Sequence, residues 1–581
     1  MVTNLYSFKS FISLSIILIF SIGGCQTNHK KYSTDPTILK EGEKVFTTYC
    51  SSCHGIEKAG IGPKLGGTTK ILAFEWLEKF VKRPKDVIDS GDARARKLFD
   101  KYGAYMPDFS FLTDQQLHAV LSYIDHETEV LKIPIIANDL DPDIENNRPD
   151  KKPSAEPVRP SGLVLEIEDF ITLPPSSEHA PPVRISNMRP GPVSKNQIFV
   201  NDQRGIIYRI AGNEITTFLD IRSEIASFID APGLGTGLGS FAFHPDYLKN
   251  GAIYITHTEK YEGKTADFHY ADSIKVAMQW VLSEWKMEDP TADVFKGTRR
   301  ELLRINVPSG IHGVQDMNFV PEVKPGDKEY GMLYIGIGDA GSTIGGFPQL
   351  CHSLNSFLGT IIRIDPQGNN SPNGQYGIPR DNPYYESKDP NTRKEIWAYG
   401  FRNPHRISWT GTSDRKLVVA DVGELSFEEL NIVEPGKDYG WNVREGNYQI
   451  DPFDLSNVSP LTEKDTVYQY PFAQYDHYAG QAICGGHTYD GQIAKLKGKY
   501  IFGDIVSGKL FYTERIENSS VMAPVYELSV QYKGIETDLK KIVNNQRVDL
   551  RIGEDHFKNL YIMSKADGKI RKIKDVSMSA Q

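Results

Sequence analysis

Apolar residues in the first quarter of the chain recur with the spacing of amphipathic helices. Three helices are predicted, over Lys40–Tyr49, Leu72–Lys82 and Thr113–His126. Thr113 is a good N-cap for the third helix, because its hydroxyl can accept a hydrogen bond from the first turn. The apolar face of that helix contains Leu117, Val120, Leu121 and Ile124. The pattern predicts a small all-α domain over residues 33–130.

Short apolar strands dominate the rest of the chain and recur at intervals of roughly fifty-five to eighty-five residues. Such intervals are longer than a simple propeller blade and fit blades that carry inserted loops. Six repeats predict an all-β, six-bladed β-propeller over residues 163–575. A β-sandwich is the alternative, although sandwiches rarely need this length. The repeated segments are Ile198–Val200, Ile253–Ile255, Leu333–Ile335, Leu417–Val419, Tyr500–Phe502 and Leu560–Ile562.

Residues 131–162, between the two predicted domains, are rich in charge and proline. Proline-rich, charged segments are semi-extended and solvated. We therefore predict a linker that lets the two domains touch without sharing a core.

The N-terminus has the pattern of a secretion signal over residues 1–24. Lys9 precedes the apolar run Phe11–Phe20, which is too short to span a bilayer stably, and small residues lead to Cys25. The segment Ile22–Cys25 resembles a bacterial lipoprotein box, which implies that Cys25 is acylated after cleavage. A plain signal with an incidental cysteine is the alternative. We expect an exported protein, lipid-anchored to a bacterial membrane and facing the periplasm or the cell surface.

Composition narrows the choice of partner. The chain has 39% hydrophobic and 24% charged residues, which is ordinary for a globular protein, and its length suits two unequal domains. A net charge of -9 argues against a nucleic-acid partner, since phosphate binding needs a concentrated basic surface.

Two of the five cysteines, Cys351 and Cys484, lie outside any motif. Two buried free thiols are favoured there, and a disulfide stays open.

The segment Cys50–His54 has the C-x-x-C-H pattern of a c-type haem attachment site. Cys50 and Cys53 can add to the two vinyl groups of one porphyrin, and His54 can ligate the iron from below. Met106 is the one methionine between this motif and the linker, and a thioether there favours electron transfer over oxygen binding. We therefore predict a single covalent haem c with His54 and Met106 as its iron ligands. The alternative is that Met106 only packs in its loop.

This segment resembles a class I cytochrome c over about a hundred residues. The matching motifs are Cys50–Gly55, Gly62–Leu65 and Met106–Pro107. The resemblance implies that the Pro63 carbonyl accepts the Nδ1 proton of His54.

Motifs in the second part resemble the PQQ-dependent glucose/sorbosone dehydrogenase family, also called aldose sugar dehydrogenases. The resemblance spans most of residues 163–575 and implies a propeller that binds pyrroloquinoline quinone (PQQ) and Ca²⁺ at one end of its channel. The matching motifs are Phe243–Tyr247, Leu358–Asp365, Gly400–Pro404, Glu429–Ile432 and Tyr439–Trp441.

The same resemblance implies roles for particular residues. His312 falls at the position of the general base that takes the C1 hydroxyl proton of the sugar, which suits a neutral imidazole. Arg402 and Asn403 correspond to residues that bind the cofactor, so Arg402 joins His312 as a catalytic candidate. The alternatives are that His312 is structural and that Arg402 joins neighbouring blades by a salt bridge. Arg547, in the last repeat, is a further cofactor-binding candidate. Gly423 and Glu424 correspond to the loop whose backbone carbonyls hold calcium.

Two departures leave a second function open. The chain reads Gly235–Gly239 where family members often carry Gln or Glu, and Asp504–Gly508 lacks the cofactor-binding lysine of the glucose enzymes. That segment looks closer to hedgehog-interacting proteins. One hypothesis is a quinohaemoprotein that oxidises the C1 hydroxyl of an aldose to a lactone and passes electrons through haem c to a cytochrome or terminal oxidase. The alternative is a carbohydrate- or protein-binding propeller tethered to an electron-transfer cytochrome.

Overall fold

The computed structural model describes most of both predicted domains. Cys25, the predicted signal and most of the predicted linker lie outside the described ranges. No helix within those ranges has the length and apolar character that crossing a bilayer requires. The ranges are 32–58, 60, 62–102, 105–135, 155–411, 415–461, 466–514 and 522–579.

The first domain is helical. The three predicted helices are present as α1, α3 and α6, and a π-helical turn over Phe46–Cys50 continues α1 into the C-x-x-C-H motif. Sequence periodicity missed α2, α4 and α5. Helices α2 and α4 are only four and six residues long, and seven of the ten residues of α5 are polar or alanine. The helices are α1 (Pro36–Val45), α2 (Thr68–Ile71), α3 (Phe74–Lys82), α4 (Pro84–Asp89), α5 (Ala93–Tyr102) and α6 (Asp114–Val130).

Helix α6 forms the back of this domain. Thr113 caps it as predicted: its Oγ1 accepts the Gln116 amide at 3.2 Å, and the Gln116 side chain accepts the Thr113 amide. All four predicted apolar-face residues are buried. Helix α1 crosses α6 closely, since a Cβ at Gly42 would lie 2.1 Å from the Ala119 carbonyl oxygen.

The second domain consists of β-strands and two short helices, α7 (Tyr247–Asn250) and α8 (Leu539–Val543). The first six strands are β1 (Arg159–Thr172), β2 (Ile185–Pro190), β3 (Gln197–Asp202), β4 (Ile206–Ala211), β5 (Glu214–Asp220) and β6 (Leu238–Phe243). Next come β7 (Ala252–Lys260), β8 (Met278–Met287), β9 (Gly297–Val307), β10 (Asp316–Phe319), β11 (Leu333–Ile337), β12 (Thr360–Ile364) and β13 (Ile396–Tyr399). They are followed by β14 (Pro404–Trp409), β15 (Leu417–Asp421), β16 (Phe427–Val433), β17 (Arg444–Glu445), β18 (Tyr448–Asp451), β19 (Asp454–Pro460) and β20 (Ala473–Asp476). The last are β21 (Ile483–Thr488), β22 (Tyr500–Asp504), β23 (Leu510–Thr513), β24 (Tyr526–Tyr532), β25 (Ile535–Thr537), β26 (Leu550–Glu554), β27 (Leu560–Ser564) and β28 (Lys569–Met578).

In the described residues these strands form six four-stranded antiparallel blades. The blades are β2–β5, β6–β9, β10–β13, β14–β16 with β20, β21–β24, and β26–β28 with β1. Their innermost strands contact one another in a closed ring, in the order β2, β6, β10, β14, β21, β26 and back to β2. The predicted fold, a small helical cytochrome-type domain followed by a six-bladed propeller, is confirmed. A small three-stranded sheet, β17–β19, is inserted in the fourth blade.

Each of the six predicted repeats is the second strand of its blade. These strands (β3, β7, β11, β15, β22 and β27) have a partner on both sides, and their core positions are buried on both faces. A strand buried on both faces is an unbroken apolar run, which is why this strand and not its neighbours stood out in the sequence.

Strand β1 closes the ring. It pairs antiparallel with β28, the last strand of the sixth blade, and parallel with β24 of the fifth. It starts at Arg159, inside the range 131–162 that the sequence predicted to be linker. Pro160 and Gly162 gave that stretch its linker-like composition, although hydrogen bonding places it in a sheet. Cys351 and Cys484 are buried free thiols, as favoured.

Candidate active site

The candidate haem ligand His54 follows the π-helical turn that ends at Cys50. Its Nδ1 lies 2.7 Å from the Pro63 carbonyl oxygen, so Nδ1–H donates there and the Nε2 lone pair is left for iron. Gly62 packs on the ring, and a Cβ there would lie 2.4 Å from Cε1 of His54. Only glycine therefore lets the loop hold the imidazole this closely. Cys50, Cys53 and Met106 line the same cavity as His54, in agreement with covalent attachment and axial ligation.

The propeller candidates all lie at one end of the ring. His312 precedes β10, Arg402 and Asn403 precede β14, and Gly423 and Glu424 follow β15. In an antiparallel blade the start of the first strand and the end of the second lie at the same end, so the topology brings these loops together. We call this end the mouth of the propeller.

His312 forms a buried pair with Asp339. Its Nδ1 lies 2.6 Å from Asp339 Oδ1, and the other carboxylate oxygen accepts the Trp441 indole N–H at 3.0 Å. The Gly341 amide also donates to Asp339, at 2.7 Å. His312 has a φ of 50°, in the left-handed region that few non-glycine residues adopt. The pair fixes the tautomer of His312 with Nε2 as the free acceptor.

Electrostatics favour a neutral His312. Burial lowers its pKa, the nearby Arg402 guanidinium lowers it further, and the Asp339 carboxylate opposes them only in part. For Asp339, burial raises the pKa, but His312 and Arg402 outweigh that effect, so its pKa is lowered and it stays ionised. A neutral imidazole beside a carboxylate is the arrangement of a general base.

Arg402 is held on three sides. Its Nε and Nη2 donate to Glu424 Oε2 at 2.9 and 2.6 Å, and Nη1 donates to the Val422 carbonyl at 2.9 Å. Its guanidinium carbon lies 5.7 Å from the centre of the Trp441 ring. The pairing with Glu424 was not predicted, because the sequence suggested only a backbone role for that residue.

Asn403 and Arg402 are positioned through their backbone by Asp421, whose two oxygens accept their amides at 2.6 and 3.0 Å. Asn403 Oδ1 is buried and has no hydrogen-bond partner within the described chain. Burial and the neighbouring Glu429 carboxylate raise the pKa of Asp421 well above its usual value, and burial raises that of Glu429 to about 7.

The loop after β15 is shaped by Glu445. One oxygen of this carboxylate accepts four consecutive backbone amides, those of residues 424 to 427, at 2.9 to 3.1 Å. Because a trans peptide is planar, the Gly423 carbonyl points the opposite way from the Glu424 amide. That leaves carbonyl oxygens of the loop for a hard cation such as Ca²⁺. In the described residues no group of three or more His, Cys, Asp and Glu side chains is placed to hold a metal ion, so calcium stays a prediction.

Lys565 is a mouth residue that the sequence did not indicate. It follows β27, is only 6% exposed, and its Nζ lies 2.6 Å from Gln203 Oε1 in the first blade. Burial and the Arg551 guanidinium hold the pKa of Lys565 well below its usual value. Arg547 lines the same cavity and pairs with Asp549 at 2.8 Å. No sequence signal could have found Lys565, because its partner is 362 residues away.

The mouth fits an anionic cofactor. Arg402, Arg547, Arg551 and Lys565 line it. Arg402 and Arg547 pair with Glu424 and Asp549, whereas Arg551 and Lys565 are buried and form no ion pair within the described residues. Burying such groups without an anion is costly, so they favour an anionic ligand. The Arg551 Nε, like Asn403 Oδ1, is buried without a partner in the described residues. PQQ carries three carboxylates and quinone oxygens, which this set of donors can bind.

The haem and mouth residues line one continuous cavity of about 2350 Å³. Every candidate site residue within the described ranges lies on it, namely Cys50, Cys53, His54, Met106, His312, Arg402, Asn403, Gly423, Glu424 and Arg547. The structure therefore brings together the two groups of residues that the sequence assigned to separate domains.

Comparison with known proteins identifies the same two domains. The sequence profile of the glucose/sorbosone dehydrogenase family matches residues 191–524, and that of cytochrome c matches residues 39–127. The HIPL1 protein of Arabidopsis thaliana is 27% identical over 363 residues, covering 55% of this chain and 50% of that protein. The aldose sugar dehydrogenase YliI of Escherichia coli is 32% identical over 249 residues, covering 42% of this chain and 57% of that protein.

Among solved structures, the apo-form of the soluble aldose sugar dehydrogenase of Escherichia coli superposes with a TM-score of 0.49 at 17% identity, over 71% of this chain and 99% of that one. The chain spans about half the length of HIPL1. The first profile covers more than half of the 581 residues and contains His312, Arg402, Asn403, Gly423 and Glu424. The chain therefore belongs to the glucose/sorbosone dehydrogenase family and carries a cytochrome c domain on the N-terminal side of the family domain.

Proposed function

We propose that the protein is an exported, membrane-anchored sugar dehydrogenase that oxidises the C1 hydroxyl of an aldose to a lactone. Bound PQQ would supply the two-electron oxidant. The electrons would leave through a covalently attached haem c to a downstream acceptor, a cytochrome or a terminal oxidase.

One observation carries this proposal: a buried His–Asp pair, a cationic mouth and a C-x-x-C-H motif share one cavity. A binding module has no need of a neutral, oriented imidazole next to a cationic pocket, whereas proton abstraction from a hydroxyl does. The attached cytochrome supports the proposal further, because a tethered acceptor has a high effective concentration.

His312 acts as the general base. Its neutral Nε2 accepts the C1 hydroxyl proton while Asp339 holds Nδ1–H and stabilises the imidazolium that forms. Trp441 and Gly341 in turn fix the Asp339 carboxylate.

The remaining mouth residues hold and orient the cofactor. Arg402, Arg547 and Lys565 offer N–H donors to its carboxylates, and Asn403 offers its side-chain amide N–H to its quinone oxygens. Carbonyls of Gly423 and Glu424 would hold Ca²⁺, which polarises a quinone carbonyl when bound.

The overall reaction balances. Oxidation of one aldose to its lactone breaks the C1–H and O–H bonds and releases two electrons and two protons. One proton passes to His312 and then to solvent, and the other is also released to solvent. Two one-electron transfers to the downstream acceptor complete each turnover.

The test is reconstitution of the purified haem-loaded protein with PQQ and Ca²⁺, followed by addition of a panel of aldoses. The reduced haem absorption band should appear with sugar and PQQ together, and with neither alone. If PQQ does not bind and no aldose reduces the haem, the binding-module alternative is favoured.

Lipid anchoring has its own test: Cys25→Ser should move the protein out of the membrane fraction.

A further inference from the structure

The segment between the two haem cysteines contacts the mouth of the propeller directly. Ser52 is 3% exposed, and its Oγ accepts the backbone N–H of Gly310 at 3.0 Å. Gly310 lies two residues before His312. The neighbouring Ser51 has a different role, since its Oγ donates to the Thr47 carbonyl within its own domain at 2.7 Å.

Two more contacts flank this hydrogen bond. Glu43 of α1 forms an ion pair with Lys275, which lies in the loop between β7 and β8. Gly60, beyond the haem motif, lies against Ile344, whose Cδ1 would be 3.9 Å from a Cβ at that position. Lys275, Gly310 and Ile344 all lie in loops at the mouth end of the second and third blades.

A fourth residue supports the same arrangement. Burial raises the pKa of Tyr49, and the carboxylate of Asp230, at the mouth end of the propeller, raises it further. The side of the helical domain that carries Tyr49, Cys50 and Ser52 therefore faces the mouth.

We propose that the cytochrome domain docks on the propeller through the edge that carries its two cysteines, with Ser52 on Gly310 and Glu43 on Lys275, and that electrons pass between the domains in this docked state. The inference rests on the proposed function and specifies its internal electron partner.

The way in which the haem is attached to the two cysteines explains why this edge of the cytochrome domain is important for electron transfer. The two cysteine sulfurs bond to one side of the porphyrin, so the residues between them mark where that side approaches the protein surface. Docking by Ser52 therefore places Cys50 and Cys53, which would hold the haem by thioether bonds, beside the mouth. The contacts are one neutral hydrogen bond and one exposed ion pair, which are weak alone and effective only because the domains are joined.

Zero-length cross-linking tests the docked geometry without any turnover. A carbodiimide should join the Lys275 ammonium to the Glu43 carboxylate of the intact haem-loaded protein, giving a cross-linked peptide pair by mass spectrometry. Lys264 and Glu301, which pair within the propeller at 2.6 Å, serve as the internal control. Recovery of the Lys264–Glu301 pair without any Glu43–Lys275 pair would overturn the proposal.

Charge reversal tests the electron-transfer role. Glu43→Lys and Lys275→Glu should each slow sugar-driven haem reduction by about 1.5- to 5-fold, the range of an exposed ion pair. The double variant should restore the rate, and Lys264→Glu should leave it unchanged. A double variant that is slower than either single variant would contradict docking through this pair.

Ser52→Ala tests the central contact, because it leaves the buried Gly310 amide without a partner. Haem reduction should slow by roughly 5- to 150-fold, while Ser51→Ala and Ser52→Thr should stay near the original rate. Haem content, measured on the denatured protein, must be equal in all variants.

A small diffusible dye that accepts electrons at the mouth separates the two hypotheses. Sugar oxidation with the dye should be the same in the Ser52→Ala and the original protein. If sugar reduces the dye but Ser52→Ala reduces haem at the original rate, docking is wrong and the proposed function stands. If sugar reduces neither dye nor haem in the original protein, the proposed function fails, whatever the cross-linking shows.

Discussion

At the scale of single residues, the family resemblance predicted the site residues at the mouth but not the residues that hydrogen-bond to them. The resemblance indicated His312, Arg402 and Asn403, and the structure places all three on one cavity. It did not indicate the partners that set their behaviour, Asp339 for His312 and Glu424 for Arg402. Such partners are fixed by which loops meet at the mouth, and a single sequence does not contain that information.

The pH dependence of kcat/KM should report the protonation state of His312. Only the neutral imidazole accepts a proton, and burial and Arg402 lower the pKa, so kcat/KM should stay on its plateau to below about pH 6.5. Asp339→Asn removes a carboxylate that raises this pKa, so the acid limb should move to lower pH. His312→Asn should lower kcat by roughly 10²- to 10⁴-fold and remove the limb. An acid limb that persists unchanged in His312→Asn would assign the base elsewhere.

Lys565 should matter for cofactor affinity. The sequence lacked the lysine expected near Asp504–Gly508, and the structure places the amine of Lys565, from the sixth blade, at the mouth instead. Lys565→Met should weaken PQQ binding by roughly 10- to 150-fold, the effect of losing a hydrogen bond to a charged group. The measurement is a PQQ binding titration of the apoprotein. Lys569→Met is the control, because Lys569 pairs with Asp169 away from the cavity, and equal affinity in both variants would exclude the role.

At the scale of elements, prediction succeeded where local signals agreed. Helix α6 had periodicity, a capping residue and an acidic first turn, so its sequence alone was sufficient. The second strand of each blade was equally clear, because burial on both faces makes it uniformly apolar. The outer strands and α5 were missed, since half-exposed elements mix polar and apolar residues and resemble loops in a single sequence.

The crossing of α1 and α6 gives a test of packing. A methyl group at Gly42 would collide with the Ala119 carbonyl, a backbone atom that cannot rotate away. Gly42→Ala should therefore destabilise the cytochrome domain by about 1–3 kcal/mol despite the better helix propensity of alanine. Urea unfolding followed at the haem absorption band measures this effect. Glu41→Ala, at the exposed neighbouring position, should change stability little, and equal stability of the two variants would contradict the close crossing.

At the scale of the whole molecule, the sequence predicted the number of blades but not how the ring closes. Strand β1 and its partner β28 are about four hundred residues apart, so their pairing had no local signature. Only the first four residues of β1, which include Pro160 and Gly162, were assigned to the linker. The docking of the two domains was equally hidden, because it depends on single contacts such as Ser52 with Gly310.

Ring closure predicts that β1 stabilises the whole propeller. Leu165 is fully buried in β1, and Leu165→Ala should cost about 2–5 kcal/mol of unfolding free energy. Glu168→Ala, on an exposed position of the same strand, is the matched control. The comparison uses urea unfolding followed by tryptophan fluorescence, and an equal midpoint for both variants would argue that the ring holds without this strand.

Closure by β1 also sets an order of assembly. Residues 32–130 contain every helix that the structure describes in the haem-binding domain, and they supply all members of its hydrophobic core. Strand β1 has no antiparallel partner until residues 569–578 are synthesised. The cytochrome domain can therefore fold and receive its haem before the propeller ring has closed. Only the closed ring then provides the surface on which this domain docks.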